Sequence, residues 1–299
     1  MSDLSVRIGS LVLKNPVITA SGTFGFGAEY AQVYDVSCLG GICTKGLTLH
    51  PRRGNPPPRL WETPCGLLNS IGLENPGVEM FLREELPRMR DLGTAVIANI
   101  WGEAPEEYGE LAERLSGSGV AAIELNLSCP NVPGMGLLGG SAQGTARAVR
   151  AARTACSEPL WVKLPPEGDV LGAARAAEKE GAEAISAANT FRGLAIDIVT
   201  GRPALAGTFG GLSGPAIKPL ALRLVYELSR AVSLPVIGIG GIASWRDAVE
   251  FIMAGAHAVQ VGTASFIDPL CAPKIIRGLE DFLKERGIET WEGIRGCAH

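Results

Sequence analysis

Two lysines, four asparagines and one cysteine stand where apolar runs give way to turns. Lys45 and Lys163 close the runs Leu39–Lys45 and Leu160–Lys163. An ammonium at the end of a buried run is costly without an anionic partner. It suits a fixed positive charge or a Schiff-base nucleophile; the plain alternative is a surface lysine just past the run. Asn69, Asn99, Asn126 and Asn189 each offer two donors and an acceptor, which matches a planar, amide-bearing ligand. Cys129 lies in Asn126-Leu-Ser-Cys-Pro-Asn131, where a thiol flanked by asparagines could face that ligand. Gly134, Gly136, Gly139 and Gly140 follow, and make this segment a candidate lid that excludes water.

A second chemistry is written in small residues. Pro235-Val-Ile-Gly-Ile-Gly-Gly-Ile-Ala-Ser244 and Val259-Gln-Val-Gly-Thr-Ala264 each end an apolar run in a turn just before a helical pattern. Such turns expose backbone N–H groups beside a helix N-terminus and favour a dianion. Gly240, Gly241, Gly262 and Thr263 are the expected phosphate cradle, with a ligand-free tight turn as the alternative. Histidine occurs only at 50, 257 and 299, too dispersed for a Ser-His-Asp hydrolase or a multi-histidine metal site. A flavin site needs neither.

These residues require a frame that gathers them. The runs Pro16–Ser21, Leu39–Lys45, Thr94–Asn99, Ala121–Asn126, Leu160–Lys163, Ala182–Asn189, Pro235–Gly240 and His257–Gly262 read as strands buried on both faces. Helical spacing fills Pro105–Ser116, Gly144–Ala155, Asp169–Glu180, Pro219–Ala231 and Ser244–Ala254. Eight strands alternating with helices predict an α/β fold, a closed (β/α)8 TIM barrel, with an open doubly wound sheet as the alternative. In such a barrel the C-terminal strand ends form the active-site face, and the polar or glycine residues fall there. The intervals Lys45 to Asn99 and Asn189 to Gly240 span 54 and 51 residues. A plain unit needs roughly 30, so insertions holding Arg52–Pro58, Asn69–Leu73 and Thr190–Gly214 are expected over that face. Leu4–Leu13 alternates in part and is expected to cap the barrel bottom as a hairpin. No domain boundary stands out, so residues 1–299 are expected to form one domain.

Composition narrows the classes. The 299 residues are 46% hydrophobic and 19% charged, which excludes a largely disordered chain. The formal net charge is −4 and the basic residues are scattered, leaving no footprint for nucleic acid. No apolar run reaches the roughly 18 residues of a membrane span, and Met1-Ser2-Asp3-Leu4 lacks a signal-peptide pattern. The expectation is a cytoplasmic protein with no membrane contact. The seven cysteines, at 38, 43, 65, 129, 156, 271 and 297, form no CxxC pair. A disulfide framework, a zinc site or an iron–sulfur cluster is not expected, and most are read as small buried apolar residues. His257 opens an apolar run and is expected to be structural.

An ordered set of motifs resembles a known family. Ser21-Gly-Thr-Phe-Gly-Phe-Gly27, Gly54-Asn-Pro-Pro-Pro-Arg59, Asn69-Ser-Ile-Gly-Leu73, Asn126-Leu-Ser-Cys-Pro-Asn131, Asn189-Thr190, Gly211-Leu-Ser-Gly-Pro-Ala-Ile-Lys-Pro219 and Gly238-Ile-Gly-Gly241 are similar to those of class 1B dihydroorotate dehydrogenase catalytic subunits. The resemblance runs from about Leu4 to Asp268. Cysteine rather than serine at 129 resembles class 1, and Gly22-Thr-Phe-Gly-Phe-Gly27 resembles class 1B rather than the fumarate-using class 1A.

The resemblance implies an FMN-containing (β/α)8 barrel that oxidises dihydroorotate to orotate in pyrimidine synthesis. It implies that Cys129 removes the C5 proton while a hydride passes from C6 to FMN. Asn69, Ser70, Asn126, Asn189 and Thr190 would bind the substrate, with Ile71, Gly72 and Leu73 beside them. Lys45 would touch both substrate and flavin, and Lys163 would stabilise negative charge on the reduced flavin. Ser21, Gly46, Asn99, Asn126, Ala188 and Gly214 match flavin-contacting positions, and Gly240, Gly241, Gly262 and Thr263 would hold the phosphate. It also implies a separate partner carrying FAD and a [2Fe–2S] cluster that passes electrons to NAD, in a heterotetramer of two chains of each kind.

Some positions depart from the family pattern: Leu164-Pro165-Pro166-Glu167, Trp101, and Ala187-Ala188. Three rival readings remain. An FMN barrel acting on uracil-type pyrimidines would share FMN, Cys129 and the asparagines. A Schiff-base aldolase would use Lys163 without flavin. A non-catalytic scaffold would do neither.

Overall fold

Strands buried on both faces must be apolar along their whole length, and that is how the continuous runs are used. The computed structural model describes residues 3–128 and 138–299. In it β1 (Val17–Thr19), β2 (Gly41–Cys43), β3 (Ala95–Ile100), β4 (Ala122–Asn126), β5 (Leu160–Lys163), β6 (Ala184–Ala187), β7 (Val236–Ile239) and β8 (Ala256–Val261) close into a parallel barrel. Each strand pairs with the next, and β8 returns to β1 through Val259 opposite Val17 and Val261 opposite Thr19. Closure excludes the open-sheet alternative. Asn126 and Lys163 are the last residues of β4 and β5, whereas Asn99 lies inside β3. Ser21, Lys45, Asn189, Gly240 and Gly262 fall one or two residues past their strands, because ladder pairing stops before the apolar pattern does.

The outer helices form where the spacing places them: α1 (Pro105–Leu115), α2 (Ala142–Ala155), α3 (Val170–Lys179), α4 (Lys218–Ala231) and α5 (Trp245–Met253). Side-chain caps start three of them. Ser141 accepts from Gly144 N–H, Asp169 from Gly172 N–H, and Ser244 forms a reciprocal box with Asp247. The sequence reading missed α6 (Cys271–Arg286), which packs on α5. Its N-cap is Leu270, so the usual polar start signal is missing. It also missed the helical stretch Val78–Met80, Phe81–Glu85 and Leu86–Arg90, whose middle segment is wound as π-helix and whose last carries Pro87.

The N-terminal hairpin, Val6–Ile8 with Leu11–Leu13, covers the barrel bottom. Ser10 donates both its N–H and its hydroxyl to Glu183, just before β6, and Trp291 Nε1 donates to Leu4 O at 3.3 Å. At the opposite end the two insertions merge. Phe191–Gly193, Gly210–Ser213, Gly66–Asn69 and Leu60–Thr63 form one antiparallel sheet above the strand ends. Among the described residues no helix is long and apolar enough to cross a membrane.

His257, the second residue of β8, is partly buried and its Nδ1 has no partner among the described residues. Burial, and then the Arg295 guanidinium, push its pKa down from 6.5 to about 4. A histidine depressed on folding keeps its full contribution above the unfolded pKa and loses it as pH falls toward the folded one. His257 therefore costs up to about 3 kcal/mol of stability between neutral and acidic pH. His257→Gln is expected to flatten the fall in thermal midpoint between pH 7 and pH 4.5, read by calorimetry. A fall identical to that of the parent would show that His257 is not the titrating group.

Candidate active site

All eight strand ends converge on a cavity of about 280 Å³ roofed by the inserted sheet. Of the residues singled out from the sequence, Ser21, Lys45, Gly46, Asn69, Ile71, Gly72, Leu73, Asn99, Asn126, Lys163, Ala188, Asn189 and Thr190 line it. So do Gly214, Gly240, Gly241, Gly262 and Thr263. Ser70 does not; it is buried in the inserted segment, where its carbonyl and hydroxyl oxygens accept from Asn55 Nδ2 at 3.1 and 2.9 Å. Cys129, with Gly134 and Gly136 of the candidate lid, lies outside the described residues.

The floor is polar and buried. Lys163 is only 4% exposed, and its Nζ donates to Ser21 Oγ at 3.1 Å. Among the described residues no carboxylate lies within ion-pair distance of it. Beside it Asn99, fully buried, donates Nδ2 to Glu124 Oε1 at 2.8 Å and leaves Oδ1 without a partner. Glu124 also accepts from Cys43 Sγ at 3.2 Å, Ser186 Oγ at 2.6 Å and Gln260 Nε2 at 2.7 Å. Burial first, and then Glu124, push the Cys43 thiol well above its ordinary pKa, so it stays a neutral donor.

One wall is an amide cluster. Asn126 Oδ1 accepts from Ser128 Oγ at 2.9 Å and Asn189 Nδ2 at 3.3 Å. Asn189 also donates to Ser128 Oγ at 2.5 Å and accepts from Thr190 N–H at 2.7 Å. Tyr108 holds the strand end from behind by donating to Asn126 O at 2.8 Å. Across the cavity Asn69 donates to Gly211 O at 3.1 Å, tying the two insertions together. At the rim the Arg59 guanidinium, followed by Lys45, holds the Glu74 carboxyl below its usual range.

The small-residue turns after β7 and β8 form the remaining wall. Gly240 and Gly241 have φ of 125° and 71°, a region that side chains rarely adopt. A Cβ on Gly241 would stand 2.8 Å from the Lys218 backbone N, so α4 approaches too closely for any other residue. Lys218 is not available to a ligand, being paired with Asp247 and Glu250 at 2.5 and 2.9 Å. Thr263 Oγ1 donates to Ser213 Oγ at 2.7 Å, which bridges β8 to the inserted sheet.

Sequence reasoning missed Glu124, although a charged residue inside the run Ala121–Asn126 was a visible signal. It also missed Ser213 and Ile239, whose places depend on strand pairing. Among the departures, Trp101 is buried beneath Arg52, whose guanidinium carbon lies 4.6 Å from the ring centroid. Of the six described cysteines only Cys43 and Cys271 are buried, while Cys65 and Cys297 are exposed, correcting the expectation that most would be core residues. No group of three metal-ligating side chains occurs among the described residues.

A (β/α)8 barrel whose eight strand ends gather a buried lysine, an unpartnered amide oxygen and glycine turns around one cavity has the architecture of an enzyme with its site at the C-terminal face. The dihydroorotate dehydrogenase family profile matches residues 3–283. Three similar proteins carry the name "Dihydroorotate dehydrogenase B (NAD(+)), catalytic subunit". That of Trichlorobacter lovleyi is 54% identical over 297 residues, 98% of each chain. That of Citrifermentans bemidjiense is 50% identical over 298 residues, 99% of this chain and 98% of the relative. That of Bacteroides fragilis is 50% identical over 300 residues, 99% of each. The chain belongs to the dihydroorotate dehydrogenase family.

Proposed function

We propose that this chain oxidises dihydroorotate to orotate in pyrimidine synthesis, with FMN as its resident cofactor. The observation that carries the reading is the buried Lys163 ammonium, unpaired by any described carboxylate, beside the free Asn99 acceptor in one cavity. Both unmet groups suit an isoalloxazine ring, which has carbonyl acceptors, a ring N–H and a place for negative charge on reduction. The glycine turns at Gly240, Gly241 and Gly262 suit its phosphate. FMN bound there would supply a two-electron, hydride-accepting ring.

The chain's own residues do the rest. Asn69, Asn126, Asn189 and Thr190 hold the pyrimidine ring and its carboxylate with Lys45 close by, and the roof formed by the inserted sheet limits water. Cys129 takes the C5 proton, which is acidified by the adjacent carbonyl. Lys163 balances the negative charge that develops on the cofactor side. Residues 1–299 act as one catalytic domain. The name of the relatives, which specifies NAD and a catalytic subunit, supports a separate electron-transfer chain; in our reading that chain carries FAD and a [2Fe–2S] cluster and joins this one, two copies of each, in the cytoplasm.

The purified chain is expected to show flavin absorption in the visible, and to bleach when dihydroorotate is added without oxygen. A yellow protein that bleaches only with another dihydropyrimidine would replace the substrate. A colourless protein that refuses added FMN would overturn the flavin reading and return attention to Lys163 amine chemistry.

A further inference from the structure

Among the described residues Glu124 is the one fully buried carboxylate, and the proposed chemistry does not use it. It sits in β4 opposite Asn99 of β3 and Trp161 of β5. Its two oxygens receive four donors from four other strands. Oε1 takes Cys43 Sγ and Asn99 Nδ2, and Oε2 takes Ser186 Oγ and Gln260 Nε2. Those contacts fill the lone-pair sites of a carboxylate, so Glu124 has nothing left to offer a ligand directly.

What it does is decide which way two amides face. A carboxylate only accepts, so Asn99 and Gln260 must each turn the NH2 group toward it. Their carbonyl oxygens, Asn99 Oδ1 and Gln260 Oε1, are both buried and both lack a partner among the described residues. Asn99 lines the cavity, and its Oδ1 faces Gly46, where a Cβ would stand 3.1 Å away. A buried acceptor left unmet is unfavourable, and an incoming N–H relieves it.

We infer that Glu124 is a positioning residue that holds the Asn99 amide with its oxygen toward the cavity, so that the site selects a flavin ring by its single N–H. The inference rests on the FMN reading above. A neutral isostere would undo it. In Glu124→Gln the side chain offers one NH2 group and one oxygen. Where the NH2 group meets Asn99 Nδ2, Asn99 must turn its own NH2 toward the cavity, and where it meets Gln260 Nε2 the turn falls on Gln260, outside the cavity lining. A network serving only to stabilise the barrel would lose stability on that exchange without changing ligand preference.

The test is reconstitution of the full-length apoprotein with FMN and with 3-methyl-FMN, in which the ring N–H is replaced by a methyl. The parent is expected to prefer FMN by at least about tenfold. Glu124→Gln is expected to bind FMN about tenfold more weakly and to lose most of that preference. Adding Asn99→Asp to Glu124→Gln restores an acceptor to which the introduced amide can donate, and should recover FMN affinity. Undiminished affinity and preference in both Glu124→Gln and Glu124→Met, the second offering Asn99 no acceptor in either orientation, would overturn the inference, as would a double variant weaker than the single. If Glu124→Gln does not fold, equal binding of the two flavins by the parent still overturns it. A parent that binds neither flavin defeats the FMN reading itself, which is a different failure.

Discussion

Cys129→Ala is expected to keep its FMN yet reduce it with dihydroorotate several orders of magnitude more slowly than the parent. General-base catalysis is worth roughly 10²–10⁴ in rate; Asn126 and Ser128, which hydrogen-bond Asn189 at the cavity wall, stand just before Cys129 in the chain, and among the described residues no thiol lines the cavity. Alanine removes the base but leaves the hydrogen bonds of that cluster and the glycine cradle in place, so cofactor content should not fall. Anaerobic stopped-flow at the flavin absorbance band reads the rate directly. Cys129→Ser adds a second test. A hydroxyl gives up its proton far less readily than a thiol, whose free pKa is about 8.5, so activity should survive mainly at high pH. Reduction of Cys129→Ala at the parental rate would remove Cys129 from the chemistry.

Lys163→Met has the second large effect, and it has opposite signs in the two forms of the protein. The ammonium is 4% exposed, with a single hydroxyl partner and no carboxylate in ion-pair contact among the described residues, so its direct partners repay little of its desolvation cost. Methionine keeps the stem and removes the charge, so apoprotein stability should hold or rise. The loaded protein behaves differently. Losing a charge-assisted hydrogen bond costs about 1.5–3 kcal/mol, which weakens FMN binding by about tenfold to a hundredfold. If the loss falls on the reduced, more negative flavin, the two-electron potential drops by about 30–60 mV. Equilibration with a reference dye measures the potential, and calorimetry measures the apoprotein. An unchanged potential with unchanged FMN content would discard the role given to Lys163.

The amino-acid sequence by itself determined the barrel, its strand order and most residues that reach the cavity. The reason is local. A strand buried on both faces must be continuously apolar, and the chain must leave the ladder at a polar or glycine residue. Asn126 and Lys163 end their strands for that reason, and Gly240 and Gly241 mark a turn whose φ values few other residues accept. Tertiary structure alone decided three things. The insertions at Gly66–Asn69 and Gly210–Ser213 pair into one roof, a contact between segments far apart in the chain that no short-range pattern encodes. Ser70 turns away from the cavity to Asn55, because in a strand-like segment neighbouring side chains take opposite faces. Glu124 gathers donors from four strands, and only closure of the barrel brings Cys43, Asn99, Ser186 and Gln260 around one carboxylate.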